Sequence, residues 1–103
     1  LWMAPEVITG HAYDWRADVF SFGVLLLELA TRTRPPPRWP KHCYAFQPGA
    51  VRALLAALSE PPSAAYVELC EQCLCAAPHD RPAFRELHRS LAALEEIEIA
   101  EMR

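Results

Sequence analysis

The sequence predicts an all-α protein, a small helical bundle around one central, buried helix at about residues 18–30. Residues 19–30 are apolar on almost every side, and only the polar side chains of Ser21 and Glu28 interrupt them. A helix that is apolar all round is typical of one surrounded by protein. Three later stretches repeat apolar residues at steps of three and four, and no stretch shows the sustained alternation of a strand. A chain of 103 residues allows one such domain.

The first predicted element is a short helical turn at residues 5–8. Pro5 suits the first position of a helix, and Glu6 places an acidic side chain near the positive end of the helix dipole. Gly10 is expected to end this turn. A loop is predicted at residues 13–15, and the central helix is predicted to begin near Asp18.

Three amphipathic helices are predicted after the central one. A proline-rich stretch at residues 34–47 is expected to form an irregular surface loop, and Pro61 and Pro62 separate the next two helices. Ser63 can cap the second of these, because a serine hydroxyl accepts a hydrogen bond from the first turn. The residues predicted to face inward are Val51, Leu54, Leu55 and Leu58, then Tyr66, Leu69, Cys70, Cys73 and Leu74, then Phe84, Leu87, Leu91 and Leu94. Single apolar stripes cover only part of the central helix, so we expect an exposed apolar patch and self-association of the isolated chain.

Charge and targeting signals exclude several classes of function. The formal net charge of −3 gives no nucleic-acid or membrane-surface signal. No basic region followed by an apolar run marks a signal peptide, and no apolar stretch approaches the roughly 20 residues that span a bilayer. Three of the four cysteines cluster at residues 70–75 and are not spread as in a disulfide framework. We therefore expect a reducing compartment, the cytosol or the nucleus.

The same cysteine cluster raises a zinc hypothesis. Cys70, Cys73 and Cys75 lie close to His79, and thiolate and imidazole ligands suit tetrahedral zinc. However, Cys70 and Cys73 fall on the apolar stripe of a predicted helix, where a free cysteine behaves as a small hydrophobic residue. A second Cys-x-x-Cys pair is absent from the sequence. The interpretation as core cysteines is favoured, and no metal site is predicted.

Three short motifs occur in a fixed order along the chain. They are Met-Ala-Pro-Glu at residues 3–6, Asp-Val-Phe-Ser-Phe-Gly at residues 18–23, and Pro-His-Asp-Arg-Pro at residues 78–82 followed by Phe84. Together they resemble the last part of a protein kinase catalytic domain. The corresponding family elements are the end of the activation segment, the central helix of the large lobe, and the closing helices of that lobe. The resemblance implies that residues 1–103 form a partial kinase domain, read here as a fragment of a longer chain.

The resemblance also implies where the chemistry of the parent protein lies. Kinases need a glycine-rich phosphate loop, a strand lysine, a catalytic-loop aspartate and a magnesium-binding Asp-Phe-Gly motif. The 103 residues contain none of these motifs. ATP and Mg²⁺ are therefore expected in the parent kinase, whereas no catalytic, cofactor-binding or metal residue is predicted in this chain, which should be inactive alone.

Two structural roles follow from the resemblance. Glu6 and Arg81 are implied to form a buried ion pair that ties the end of the activation segment to the later helices, and a buried pair needs the bidentate geometry of arginine and carboxylate. Asp18 is implied to accept backbone hydrogen bonds from the catalytic loop in the parent. For this chain alone, an acid that caps the free N–H groups at the helix terminus is the favoured interpretation of Asp18.

Leu1, Trp2 and Met3 immediately precede the Ala-Pro-Glu element. In kinases this position forms the pocket for the residue that follows the phosphoacceptor, so the three residues are implied to contact the protein substrate in the parent. A buried core tryptophan is the alternative interpretation of Trp2.

The sequence also indicates a group within the kinase family and leaves two non-catalytic hypotheses open. Residues 2–7 and 17–24 resemble the tyrosine-kinase-like and tyrosine kinase groups, and later residues resemble the LIM-kinase and testis-specific-kinase neighbourhood. The expected parent is a signalling kinase directed at serine or threonine, with tyrosine as the alternative. A non-catalytic, kinase-derived scaffold that binds a protein partner through the helix from Val51 to Leu58 is a second hypothesis, and a small zinc-dependent helical domain is the third.

Overall fold

Helices make up almost all of the regular structure in the described part of this chain. The computed structural model describes residues 2–32, 45–46 and 49–101, with side chains described as far as Glu96. The elements are α1 (Pro5–Ile8), α2 (Trp15–Thr31), α3 (Ala50–Ala56), α4 (Ala64–Cys73), a 3-10 turn (Pro78–Asp80) and α5 (Phe84–Glu101). No strand forms among the described residues, so the predicted all-α fold is confirmed. The proline-rich stretch lies outside the described residues, except for residues 45 and 46.

The central helix α2 begins earlier than the sequence predicted. Asp14 is its N-cap, and the Asp14 carboxylate accepts a hydrogen bond of 2.9 Å from the backbone N–H of Arg16. The helix therefore starts at Trp15 rather than near Asp18. The physical reason is that an aspartate in extended conformation satisfies an N–H group of the first turn that would otherwise have no partner.

The core lies between α2 and α4. Gly23 allows the two helices to approach closely, because a Cβ atom built on Gly23 would lie only 2.7 Å from the Cβ of Cys73. The Tyr66 hydroxyl, on α4, donates a hydrogen bond of 2.6 Å to the carbonyl oxygen of Leu26 on α2. The largest fully buried apolar side chains among the described residues are Phe20, Leu27, Leu55, Leu87, Val19, Val24, Cys70 and Cys73. α3 and α5 complete the bundle by packing against α4.

One face of α2 is open, as expected from later helices that each carry a single apolar stripe. Leu25 is 45% exposed and Leu29 is 63% exposed, so α2 is buried on one side and not all round. At the C-terminal end of this face, Leu29 borders a groove of about 620 Å³ that is also lined by Tyr66, Leu91 and Leu94. The reason is geometric: α3, α4 and the 3-10 turn contact α2 and bury its opposite face. Whether the open face causes self-association stays a prediction.

The ends of the later helices follow the sequence closely, with one exception. The predicted cap at Ser63 is confirmed, since its hydroxyl accepts a hydrogen bond of 3.2 Å from the backbone N–H of Tyr66. Phe84 was predicted to face inward, but it is 46% exposed, whereas Leu87 is buried. Phe84 is the first residue of α5, and helical Cβ bonds tilt toward the N-terminus, so its ring extends past the helix end. In the described part of the chain, no helix is long and apolar enough to cross a bilayer.

Candidate functional site

The guanidinium group of Arg81 lies at the junction of three segments, and its side chain has no exposed surface. Its Nη1 and Nη2 atoms donate hydrogen bonds of 2.7 and 2.9 Å to the two carboxylate oxygens of Glu6, in the first turn of α1. Nη1 also donates to the carbonyl oxygen of Arg16 at 2.9 Å. Nε and Nη2 donate to the carbonyl oxygens of Cys75 and Ala76 at 2.8 and 3.2 Å. All five guanidinium hydrogens therefore have an acceptor.

Complete pairing explains why a charge can be buried here. An isolated buried charge is costly, and the cost is offset only when a partner charge and hydrogen bonds satisfy the group. Burial alone would raise the pKa of Glu6, but the hydrogen bonds and positive charge of Arg81 outweigh burial, and the pKa is lowered. The Phe20 ring lies beneath the guanidinium, with the Arg81 Cζ atom 4.9 Å from the ring centroid. The carboxylate is thus held ionised and the guanidinium held in a fixed plane.

The structure brings Glu6 and Arg81 together, as the motifs led us to expect, and adds partners that the sequence did not reveal. The carbonyl groups of Arg16, Cys75 and Ala76 and the ring of Phe20 surround the same guanidinium. Every residue carries a carbonyl group, so no sequence pattern distinguishes these three. The ion pair fixes the first turn of α1 to the start of α2 and to the segment after α4.

Asp18 lies in the first turn of α2, with its side chain exposed. It does not cap the helix, since Asp14 accepts the capping hydrogen bond, so the interpretation of Asp18 as a cap is wrong. Within the described residues its carboxylate is available to groups outside the bundle. A role for Asp18 in holding a catalytic loop stays a prediction.

Trp2 and Met3 lie on the surface before α1, and Leu1 is outside the described residues. Their side chains are 48% and 49% exposed, so the alternative of a buried core tryptophan is wrong. The carbonyl oxygen of Trp2 accepts a hydrogen bond of 2.6 Å from the Ser21 hydroxyl of α2. The backbone is therefore anchored while the side chains remain accessible. Contact with a protein substrate stays a prediction for Leu1, Trp2 and Met3.

The apolar stripe of α3 faces the core. Val51 and Leu55 are buried, and Leu54 and Leu58 pack partly buried against the same cluster. A partner that binds α3 therefore has access mainly to its outward face, where Arg52 forms an ion pair with Glu71 of α4.

The cysteine cluster behaves as part of the core. Burial raises the pKa of the thiols of Cys70 and Cys73 to about 12, which keeps them protonated at neutral pH, whereas zinc binds thiolate. Cys75 is partly exposed, and the His79 side chain is 78% exposed. Among the residues that the structure describes, no group of three or more His, Cys, Asp or Glu side chains is placed to hold a metal ion. Cys43 lies outside the described residues.

Comparison with known proteins gives consistent matches. Residues 1–91 match the sequence model of the protein tyrosine and serine/threonine kinase family. The chain is similar to two proteins of Dictyostelium discoideum, the probable serine/threonine-protein kinases kinX (36% identity over 94 residues, 91% of this chain) and drkC (33% over 93 residues, 90% of this chain). It is also 37% identical over 102 residues, 98% of this chain, to human mitogen-activated protein kinase kinase kinase 11. The chain spans only 8%, 12% and 12% of the lengths of these three proteins.

Proposed function

We propose, from the premise that this chain belongs to the protein tyrosine and serine/threonine kinase family, that the protein carrying it transfers the γ-phosphoryl group of ATP to protein hydroxyls in signalling. The observation that carries the proposal is the ion pair of Glu6 with the buried Arg81, which fixes the first turn of α1 beside the exposed residues Trp2 and Met3. The names of the two similar Dictyostelium discoideum proteins, probable serine/threonine-protein kinases, support serine and threonine as acceptors. Tyrosine is the alternative acceptor.

The proposed role of this chain is to hold the protein substrate. Phosphoryl transfer needs bound phosphates, a metal held by acidic side chains and a base near the acceptor hydroxyl. We assign none of these tasks to the 103 residues, so ATP and Mg²⁺ are proposed to bind other parts of the kinase. Leu1, Trp2 and Met3 are proposed to contact the residue after the phosphoacceptor. Asp18 is proposed to accept backbone hydrogen bonds from the catalytic loop.

Finer assignments belong to the same proposal. The motifs at residues 2–7 and 17–24 favour the tyrosine-kinase-like group, near the LIM and testis-specific kinases. The free thiols of Cys70, Cys73 and Cys75 are consistent with a reducing compartment, the cytosol or the nucleus. Besides the substrate, a regulatory protein is proposed to bind the segment from Val51 to Leu58 through the outward face of α3.

A kinase assay tests the substrate role. The protein that carries this chain is incubated with ATP, Mg²⁺ and peptides that offer serine, threonine or tyrosine. Trp2→Ala is expected to raise the KM for peptide about tenfold and to leave the KM for ATP unchanged, because only contact with the peptide is lost. Ile8→Ala is the matched control, because Ile8, the last residue of α1, is also an exposed apolar residue. An equal effect of both variants, or an effect on the KM for ATP, would contradict the assignment.

The isolated 103-residue chain provides the complementary test. It is expected to show no ATP-dependent phosphorylation and no nucleotide binding in the micromolar range by calorimetry, because no residue in it is assigned to hold phosphate or metal. Metal-dependent turnover by this chain alone would overturn the proposed division of roles. The scaffold alternative would be established if the protein that carries this chain bound a partner through α3 but neither bound ATP nor phosphorylated any peptide.

A further inference from the structure

The ring of Phe20 touches two groups that belong to different parts of the molecule. One is the guanidinium of Arg81, whose Cζ atom lies 4.9 Å from the ring centroid. The other is the ring of Phe46, which is stacked with Phe20 at a centroid distance of 6.1 Å and an interplanar angle of 17°. Phe20 is fully buried and Phe46 is nearly so. A continuous series of contacts therefore runs from Phe46 through Phe20 and Arg81 to Glu6.

The two ends of this series lie on different surfaces. Phe46 belongs to the segment just before α3, whereas Glu6 belongs to α1, beside Trp2 and Met3. The bidentate contact with Glu6 requires one orientation of the guanidinium plane, and three backbone carbonyls depend on the same orientation. A ring that shifts beneath this plane disturbs all five hydrogen bonds at once.

Phe46 also has space in which to shift. A cavity of about 120 Å³ is lined by Phe46, Gly49, Val51, Glu71 and Leu74. Phe20 is enclosed by the core, so its ring can move only after the stacked ring of Phe46 has moved away. Phe46 is therefore the residue of the series that borders a cavity.

We propose that Phe46 is a positioning residue for the Glu6–Arg81 pair, and that loss of its stacked ring loosens α1. The stacked ring of Phe46 holds the ring of Phe20, and Phe20 holds the guanidinium plane that binds Glu6. This inference rests on the proposed function in one respect only, namely that α1, with Trp2 and Met3 beside it, holds the protein substrate. The coupling itself requires no phosphoryl transfer.

Hydrogen–deuterium exchange on the full chain, followed by mass spectrometry, tests the coupling. The variant is Phe46→Leu, which keeps an apolar side chain but removes the stacked ring. Contacts of this strength correspond to about twofold to tenfold changes in a local opening equilibrium, so the amides of α1 are expected to exchange about twofold to tenfold faster. Exchange in α4 is expected to remain as in the unaltered chain, and Phe46→Tyr, which keeps the ring, is expected to restore slow exchange in α1.

Leu87→Ala separates this coupling from general destabilisation. Leu87 is buried in α5 and its loss weakens the core without removing the stacked ring. It is expected to speed exchange across the bundle, with no selective effect on α1. Unchanged α1 exchange in Phe46→Leu, failure of Phe46→Tyr to restore it, or the same selective pattern in Leu87→Ala would each overturn the proposal. None of these results depends on kinase activity, so the coupling and the proposed function fail independently.

Discussion

The junction around Arg81 and the open face of α2 are built in opposite ways, although both belong to one small bundle. At the junction, a charged side chain is fully buried and every guanidinium hydrogen has an acceptor. On the open face, Leu25 and Leu29 are exposed to solvent. The comparison teaches that burial in this chain follows the pairing of chemical groups and the placement of neighbours, and not hydrophobicity alone. A buried polar group must find its partners within the fold, whereas an apolar surface only loses stabilisation when it stays uncovered.

Removing Arg81 should have the largest effect, because it breaks the paired side of the comparison. Arg81→Ala leaves the partly buried Glu6 carboxylate without its partner, at an expected cost of up to about 3–5 kcal/mol in the free energy of unfolding. Urea unfolding followed by circular dichroism measures the change. The exposed Arg85 of α5 is the matched control, and Arg85→Ala should stay within about 0.5 kcal/mol. A loss below that value for Arg81→Ala would show that the pair contributes little.

Two leucines on α2 test the open face directly. Leu27 is fully buried and Leu29 is 63% exposed, although they are two residues apart on the same helix. Leu27→Ala should cost about 2–5 kcal/mol, while Leu29→Ala should cost well under 1 kcal/mol. If the open face causes self-association, Leu29→Ala should also reduce the binding of a hydrophobic dye and shift light scattering toward monomer. Equal costs for the two substitutions would mean that Leu29 is covered in solution.

The close approach of α2 and α4 at Gly23 can be tested with a methyl group. Gly23→Ala places a Cβ atom 2.7 Å from the Cβ of Cys73, and the overlap should cost about 1–3 kcal/mol even though alanine favours helix. Cys73→Gly removes the overlapping atom. In the Cys73→Gly background, Gly23→Ala should cost clearly less, because only the contacts of 3.1 Å with Leu74 remain, and thermal melts of the four proteins give this coupling. A destabilisation that is the same in both backgrounds would rule out the Cys73 contact as its cause.

Lowering the pH should reduce the contribution of the Glu6–Arg81 pair to the free energy of unfolding, and this is the smallest effect among these predictions. The pKa of Glu6 is lowered in the folded chain from its ordinary value of 4.5, so ionised Glu6 stabilises the fold. This stabilisation is complete above the ordinary value and is lost as the pH falls through the lowered pKa. Other carboxylates titrate in the same range, so the informative quantity is the difference between the unaltered chain and Glu6→Gln. That difference in the free energy of unfolding should shrink as the pH is lowered. Urea unfolding at several pH values measures it. A difference that stays constant with pH would contradict the assignment.

Local signals in the sequence predicted the elements, and one of them was overlooked. Pro5 marked the start of α1 and Ser63 the cap of α4, and both are confirmed. Asp14 carries the same kind of signal for α2, since aspartate is a preferred N-cap, but the sequence interpretation placed residues 13–15 in a loop. Capping involves neighbouring residues, so such signals are visible in a sequence. The match to the kinase family likewise confirms what three short motifs indicated.

The sequence by itself determined the helices, the membership of the kinase family and the two charges at residues 6 and 81. Local hydrogen bonding and the spacing of apolar side chains suffice for these, because both depend on residues close together in the chain. Only the tertiary structure decided that Arg81 binds the carbonyls of Arg16, Cys75 and Ala76, and that Leu29 stays exposed while Leu27 is buried. Every residue has the same backbone carbonyl group, and Leu27 and Leu29 are the same amino acid, so the sequence does not distinguish them. Their roles depend on which distant segment packs against them, and that is set by three-dimensional geometry.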